Sequence, residues 1–103
     1  MRFKRGDTFS FTAEISDGES PVTGAAEKLR SQVRKKFDRK FVAELVVSET
    51  ETPGTYQFLH DGSTQGWVAT EHVIDIEYTD AGIVTSSDTF DLSVIEDVTH
   101  DEV

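Results

Sequence analysis

The feature that most constrains the fold is a two-residue alternation that runs out and back across residues 66–94. On the way out Ile74, Ile76 and Tyr78 alternate with Asp75, Glu77 and Thr79; on the way back Phe90, Leu92 and Val94 alternate with Asp91 and Ser93. Successive side chains of a strand point to opposite faces, so one apolar row and one acidic row mark strands buried on one side only. Asp80-Ala81-Gly82 between them has the length and the glycine of a hairpin loop. The lone tryptophan, Trp67, stands just ahead of the outgoing strand, where a large ring can close the end of a β core. A two-faced antiparallel sheet follows from this pattern, and no catalytic group does.

The same period recurs upstream. Phe9, Phe11, Ala13 and Ile15 alternate with Ser10, Thr12 and Glu14, which predicts a first strand over residues 8–15. Residues 16–21, Ser-Asp-Gly-Glu-Ser-Pro, form a turn, and Val22-Thr23-Gly24 reads as a short edge segment. Residues 27–36 have a helical composition at their start, but their only apolar members are Leu29 and Val33. A ten-residue helix with so narrow an apolar stripe is poorly anchored, so a strand with Arg30, Gln32 and Arg34 outward is the reading adopted. Residues 37–40 turn the chain into a strand over 41–47, with Phe41, Ala43, Leu45 and Val47 on one face and Val42 and Val46 on the other. Pro53-Gly54 excludes a helix there, and residues 55–60 alternate again around Tyr56 and Phe58. Residues 61–66 are long enough for one helical turn before Trp67, capped by Asp61 or Ser63.

About seven short strands separated by Gly- or Asp-bearing turns predict an all-β, antiparallel β-sandwich. The expected organisation is a charged lead-in over 1–7, mobile or pinned to a neighbour, one sandwich domain over 8–98, and an acidic tail over 99–103. At 103 residues the chain is long enough for one core. It has no cysteine, so disulfide staples and thiolate metal sites are excluded. No apolar run approaches a membrane span, and Met1-Arg2-Phe3-Lys4-Arg5 leads into Gly-Asp rather than an apolar signal core, so a soluble protein made without a secretion signal is expected.

Charge is distributed unevenly. All ten Lys and Arg lie in residues 1–40, seven of them from Lys28 to Lys40, whereas residues 41–103 hold fourteen acids and neither Lys nor Arg. With a net charge of −10, a nucleic-acid partner is disfavoured, because the acidic part repels phosphates. A basic patch meeting an acidic one, within a copy or between copies, is favoured. Arg34, Lys35, Lys36, Arg39 and Lys40 are the candidate partner-binding residues.

No catalytic, cofactor-binding or metal-binding set emerges. His60 and His72 read as strand-end and half-buried structural residues, and no two histidines have metal-ligand spacing. Thr99-His100-Asp101-Glu102 is at most a weak cation site. The carboxylates at Asp75 with Glu77, Asp88 with Asp91 and Glu96 with Asp97 read as solvated strand faces. Nucleophile-elbow, phosphate-loop and dinucleotide motifs do not occur. Arg5-Gly6-Asp7 matches an integrin tripeptide, a short match without structural context.

The order of pieces resembles small immunoglobulin-like domains of tailed-bacteriophage structural proteins, similar to the N-terminal domain of upper baseplate proteins. The resemblance rests on Lys4-Arg5-Gly6-Asp7-Thr8-Phe9, Pro21-Val22-Thr23-Gly24, the strand Leu29-Arg30-Ser31-Gln32-Val33-Arg34, Gly54-Thr55-Tyr56-Gln57-Phe58, Trp67, and the closing Asp75-Ile76-Glu77-Tyr78-Thr79 hairpin. Val68-Ala69 replaces the Pro usual after that Trp, and the middle turn is unusually basic. The resemblance implies an immunoglobulin-like fold and a non-catalytic virion component without cofactors: a tail-tip, baseplate or fibre-attachment adaptor assembled in the host cytoplasm. Its partners would be other virion proteins, with several copies in a symmetric assembly and neither nucleic acid nor membrane. Alternatives are a head-decoration protein of the same fold and a host-glycan-binding sandwich that stacks sugars on Trp67 and Tyr78.

Overall fold

The computed structural model describes residues 1–87 and 89–96. These residues form two sheets. The larger contains β1 (Arg2–Lys4), β3 (Leu29–Lys35), β4 (Phe41–Glu44), β7 (Glu71–Asp80), β8 (Ile83–Ser86) and β9 (Phe90–Ile95). The smaller contains β2 (Ser10–Glu14), β5 (Val46–Glu49) and β6 (Thr55–Leu59). Strand order is β1-β9-β7-β3-β4 in the first, with β8 on β7, and β2-β6-β5 in the second. The pairings are antiparallel except that of β1 with β9, which is parallel.

The predicted alternation is what lets the sheets face each other. In the β3–β7 ladder Leu29, Ser31 and Val33 sit opposite Tyr78, Ile76 and Ile74, while Arg30, Gln32 and Arg34 sit opposite Glu77, Asp75 and Val73. The first row points to the core and the second lies on the outer face. Across the smaller sheet Phe11 pairs with Phe58, rings stacked at 4.9 Å, and Ala13 pairs with Tyr56. Phe11 meets Phe90 of the opposing sheet edge-on at 5.5 Å, so aromatic contacts join the two layers. Phe9, Val33, Tyr56, Phe58, Ile74 and Leu92 are all buried. Ile76 and Phe90, needed inward by the sandwich reading, are partly buried against that core.

The strand expected over residues 41–47 is two strands in different sheets. Phe41–Glu44 pairs with β3, Val46–Glu49 pairs with β6, and the chain changes sheet at Leu45. Leu45 is buried, and its N–H reaches the Ser31 carbonyl at 2.9 Å. The returning arm of the β7 hairpin is likewise divided: β8 pairs with residues 77–80 of β7 and β9 with residues 71–74, along the same edge. Between these ladders the returning chain has one residue more than β7, and the Ser87 hydroxyl takes the Ile76 N–H at 2.9 Å.

Three expectations are corrected. The lead-in is part of the fold: β1 adds to β9, and Phe3 packs 5.1 Å from Phe9 and 5.7 Å from Trp67. One aromatic side chain with a core to enter outweighs the charges that flank it. Helical structure lies at Ala26–Lys28, a 3-10 turn leading into β3, rather than before Trp67. Residues 61–66 form a loop because its hydroxyls compete for the backbone. Thr64 donates to the Asp7 carbonyl at 2.6 Å and accepts from Gly6 N–H at 2.9 Å, Ser63 Oγ accepts from Gln65 N–H, and only Trp67 N–H closes back on Thr64 O. The third correction concerns His72, which is completely buried rather than half-buried. The expected acidic tail, with His100, lies outside the described residues.

Candidate assembly surface

The basic cluster of the sequence forms the hairpin between β3 and β4. Its turn is braced from several sides. Lys35 N–H donates to Lys40 O at 3.0 Å, Arg39 N–H to Lys35 O at 2.9 Å, and Lys36 N–H to Glu71 O at 3.0 Å. The Asp38 carboxylate accepts from Lys40 N–H at 3.0 Å, and Arg39 turns the chain with φ of 60°. Phe37 stands at the tip with a fractional exposure of 100%, and Phe41 at its base is 53% exposed. A phenyl ring that makes no use of its own core, held by a hydrogen-bonded turn, is an unspent apolar contact.

The five candidate cations divide by role. Arg34 faces inward along the hairpin: it donates to Arg39 O at 2.8 Å and to the Gln32 side chain at 3.1 Å, and its guanidinium lies 5.8 Å from the centre of the Phe41 ring. It belongs to the hairpin's architecture. Lys36 reaches Asp91 at 3.2 Å across the sheet. Lys35 is half-buried beside His72, with which it is paired in the ladder. Arg39 and Lys40 are exposed and make no ion pair among the described residues. Lys36, Arg39 and Lys40 thus lie on the exposed turn that carries Phe37, with Lys35 at the end of β3, whereas Arg34 is bonded into the loop.

Below the hairpin the outer face of the larger sheet is already balanced. Glu44 accepts from Arg30 at 2.7 and 3.3 Å and from Gln32 at 3.1 Å. These bonds hold the Glu44 carboxyl below its ordinary range, Arg30 contributing most, and the same contact raises Arg30. Asp75 and Glu77 lie opposite Gln32 and Arg30 on this face. Charges of both signs surround a shallow concavity of about 150 Å³ lined by Arg30, Arg34, Asp75 and Glu77.

The histidines lie in a packed cluster. His60 lies tilted against Trp67 at 5.1 Å between ring centres, and Trp67 stacks on His72 at 6.2 Å. His72 Nδ1 donates to Thr70 O at 3.0 Å, while Nε2 is buried without a partner. Burial holds the His72 imidazole below its ordinary value. Among the described residues no three His, Cys, Asp or Glu side chains come together as a metal site, and no helix is long and apolar enough to cross a membrane. Sequence reasoning located the basic hairpin from charge density alone; it had no signal for Phe37 as the exposed tip, because an isolated Phe in a polar turn reads equally as core. No protein-family model matches the chain, and neither does any curated protein or solved structure.

Proposed function

We propose that the chain is a non-catalytic structural component of a phage virion, a tail-tip, baseplate or fibre-attachment adaptor that joins neighbouring virion proteins through an immunoglobulin-like sandwich. The strand orders support the immunoglobulin-like part: β9-β7-β3-β4 follows the G-F-C-C′ order of a variable-type sheet, and β2-β6-β5 follows B-E-D. The chain departs from antibody domains in having no cysteine pair and in placing Trp67 before β7 rather than on β3.

The observation that carries an assembly role is Phe37, wholly exposed on a braced turn whose sequence neighbours are largely cationic. Such a tip supplies an apolar anchor and a charged rim, the division of labour found in protein interfaces. The glycan-binding alternative is weakened by Trp67, which at 6% exposure offers no platform to a sugar ring.

The test is a virion carrying the triple variant K36E/R39E/K40E. These side chains are exposed, so the isolated domain should keep its wild-type circular dichroism, while mass spectrometry of purified particles should find the variant depleted. Normal incorporation of the variant would refute the docking surface. Absence of the wild-type chain from particles would refute the virion assignment.

A further inference from the structure

The hairpin tip has a counterpart at the other end of the same molecule. Lys35 pairs with His72 and Leu29 with Tyr78, so the β3–β4 turn and the β7–β8 turn cap opposite ends of one ladder. At the second end the 15–22 loop stands away from the β7–β8 hairpin and leaves a cleft of about 630 Å³. Its apolar lining is Ile15, Val22 and Tyr78; Asp17 and Asp80 supply carboxylates, and Thr85 closes one wall. Ile83, 69% exposed on β8, shares the face of Thr85 and adds apolar surface beside it. Lys28 already pairs with Asp80 at 3.0 Å, and Asp17 and Glu19 leave this end negative. Asp17 accepts the N–H groups of Glu19 and Ser20, which fixes the loop and lowers its pKa, keeping the carboxylate charged.

We infer that the occupant of this cleft is a second copy of the chain, whose Phe37 enters between the 15–22 loop and the β7–β8 hairpin while Lys35, Lys36, Arg39 and Lys40 meet the acidic rim. An exposed aromatic ring on a turn rich in cations matches an apolar cleft with carboxylates beside it in both apolar character and charge. Because the two halves cap opposite ends of a rigid ladder, one copy cannot satisfy both within itself. The contact is head-to-tail, so a pair keeps one free tip and one free cleft; such a contact closes into a ring or continues as a filament. A single turn in a single cleft is small for an interface, so the isolated contact belongs to the weak class and is strengthened by closure. The inference rests on reading the chain as an assembly module and names the partner.

Two exposed substitutions separate the halves. Phe37→Ser removes the tip and Thr85→Arg fills the cleft with a cation; both positions are exposed, and unchanged melting temperatures confirm folding. Sedimentation velocity from about 0.05 to about 1 mM, spanning the range of weak complexes, should show wild-type protein growing into species larger than dimers. Each variant alone should stay monomeric, and an equimolar mixture of the two should stop at a dimer, since one intact cleft then meets one intact tip. A wild type that stays monomeric throughout, a variant that associates like wild type, or a mixture without dimer overturns the inference. Incorporation of the chain into particles despite a monomeric wild type would leave the virion reading standing, and association in solution by a chain absent from particles would leave only the head-to-tail contact.

Discussion

Tyr56 uses one hydroxyl to hold two pieces of chain more than thirty positions away. It donates to Val22 O at 2.7 Å and accepts from Ala25 N–H at 3.1 Å, tying the segment before the 3-10 turn to the start of β6. Removing the hydroxyl leaves a buried N–H without its acceptor, which costs about 1–3 kcal/mol. Tyr56→Phe should therefore lower the unfolding free energy by that amount, seen as a lower urea midpoint with an unchanged denaturant slope, because the ring still fills its site. His72 makes the opposite kind of contribution. Its pKa is lowered first by burial, against the raising effect of the Thr70 carbonyl, with Lys35 lowering and Glu71 raising it further. Below the ordinary value of 6.5 the unfolded chain gains a proton at this site that the folded chain refuses. Stability from His72 is thus complete above that pH and is lost as pH falls below it. His72→Phe should remove this loss: between about pH 7.5 and about pH 5 the melting temperature of wild type should fall more than that of the variant. Equal pH dependence in the two proteins would contradict it. The burial of Tyr56 was legible from its alternation with Gln57. That of His72 was legible only in part, since the partner that covers it, Trp67, comes from a loop with no periodicity.

At the scale of elements, the segment over residues 41–49 is the instructive case. The alternation over 41–47 reads as one strand, yet the chain forms two, the second running on to Glu49, because Leu45 carries it from the larger sheet to the smaller. Parity cannot reveal this. Ala43 and Leu45 are both buried before and at the crossing, so the apolar row continues while the hydrogen-bonding partner changes. Leu45 packs where the layers meet, so Leu45→Ala should cost about 2–5 kcal/mol, as buried leucines do. Val46→Ala next to it, at a side chain 52% exposed, should change stability by no more than about 0.5 kcal/mol. Thermal or urea unfolding of the pair checks the contrast, and equal losses would mean that the crossing is not anchored at Leu45. The hairpin element was legible differently. Charge density marked residues 34–40 as a surface, but only the backbone turn distinguishes Arg34, bonded into the loop, from Arg39 and Lys40, which project from it.

The whole molecule carries a net charge of −10 with its cations gathered in the first forty residues. Two consequences of that imbalance have opposite signs. Within one copy, like charges repel and oppose the compact state. The four described ion pairs, Arg5–Glu96, Lys28–Asp80, Arg30–Glu44 and Lys36–Asp91, lie at the surface and offset little of that repulsion. Between copies, the same separation of charge puts the basic tip of one molecule against the acidic cleft of the next. Raising salt from about 20 mM to about 500 mM shortens the screening length from about 20 Å to about 4 Å. The melting temperature of the dilute monomer should then rise, because repulsion is screened, while head-to-tail association measured at high protein concentration should weaken. Hydrophobic contact alone would give association that strengthens with salt, and ion-pair stabilisation of the fold would give a falling melting temperature. The two responses measured on one preparation therefore separate what the charges do to the fold from what they do between molecules. A parallel rise in both would leave Phe37 as an anchor without electrostatic guidance.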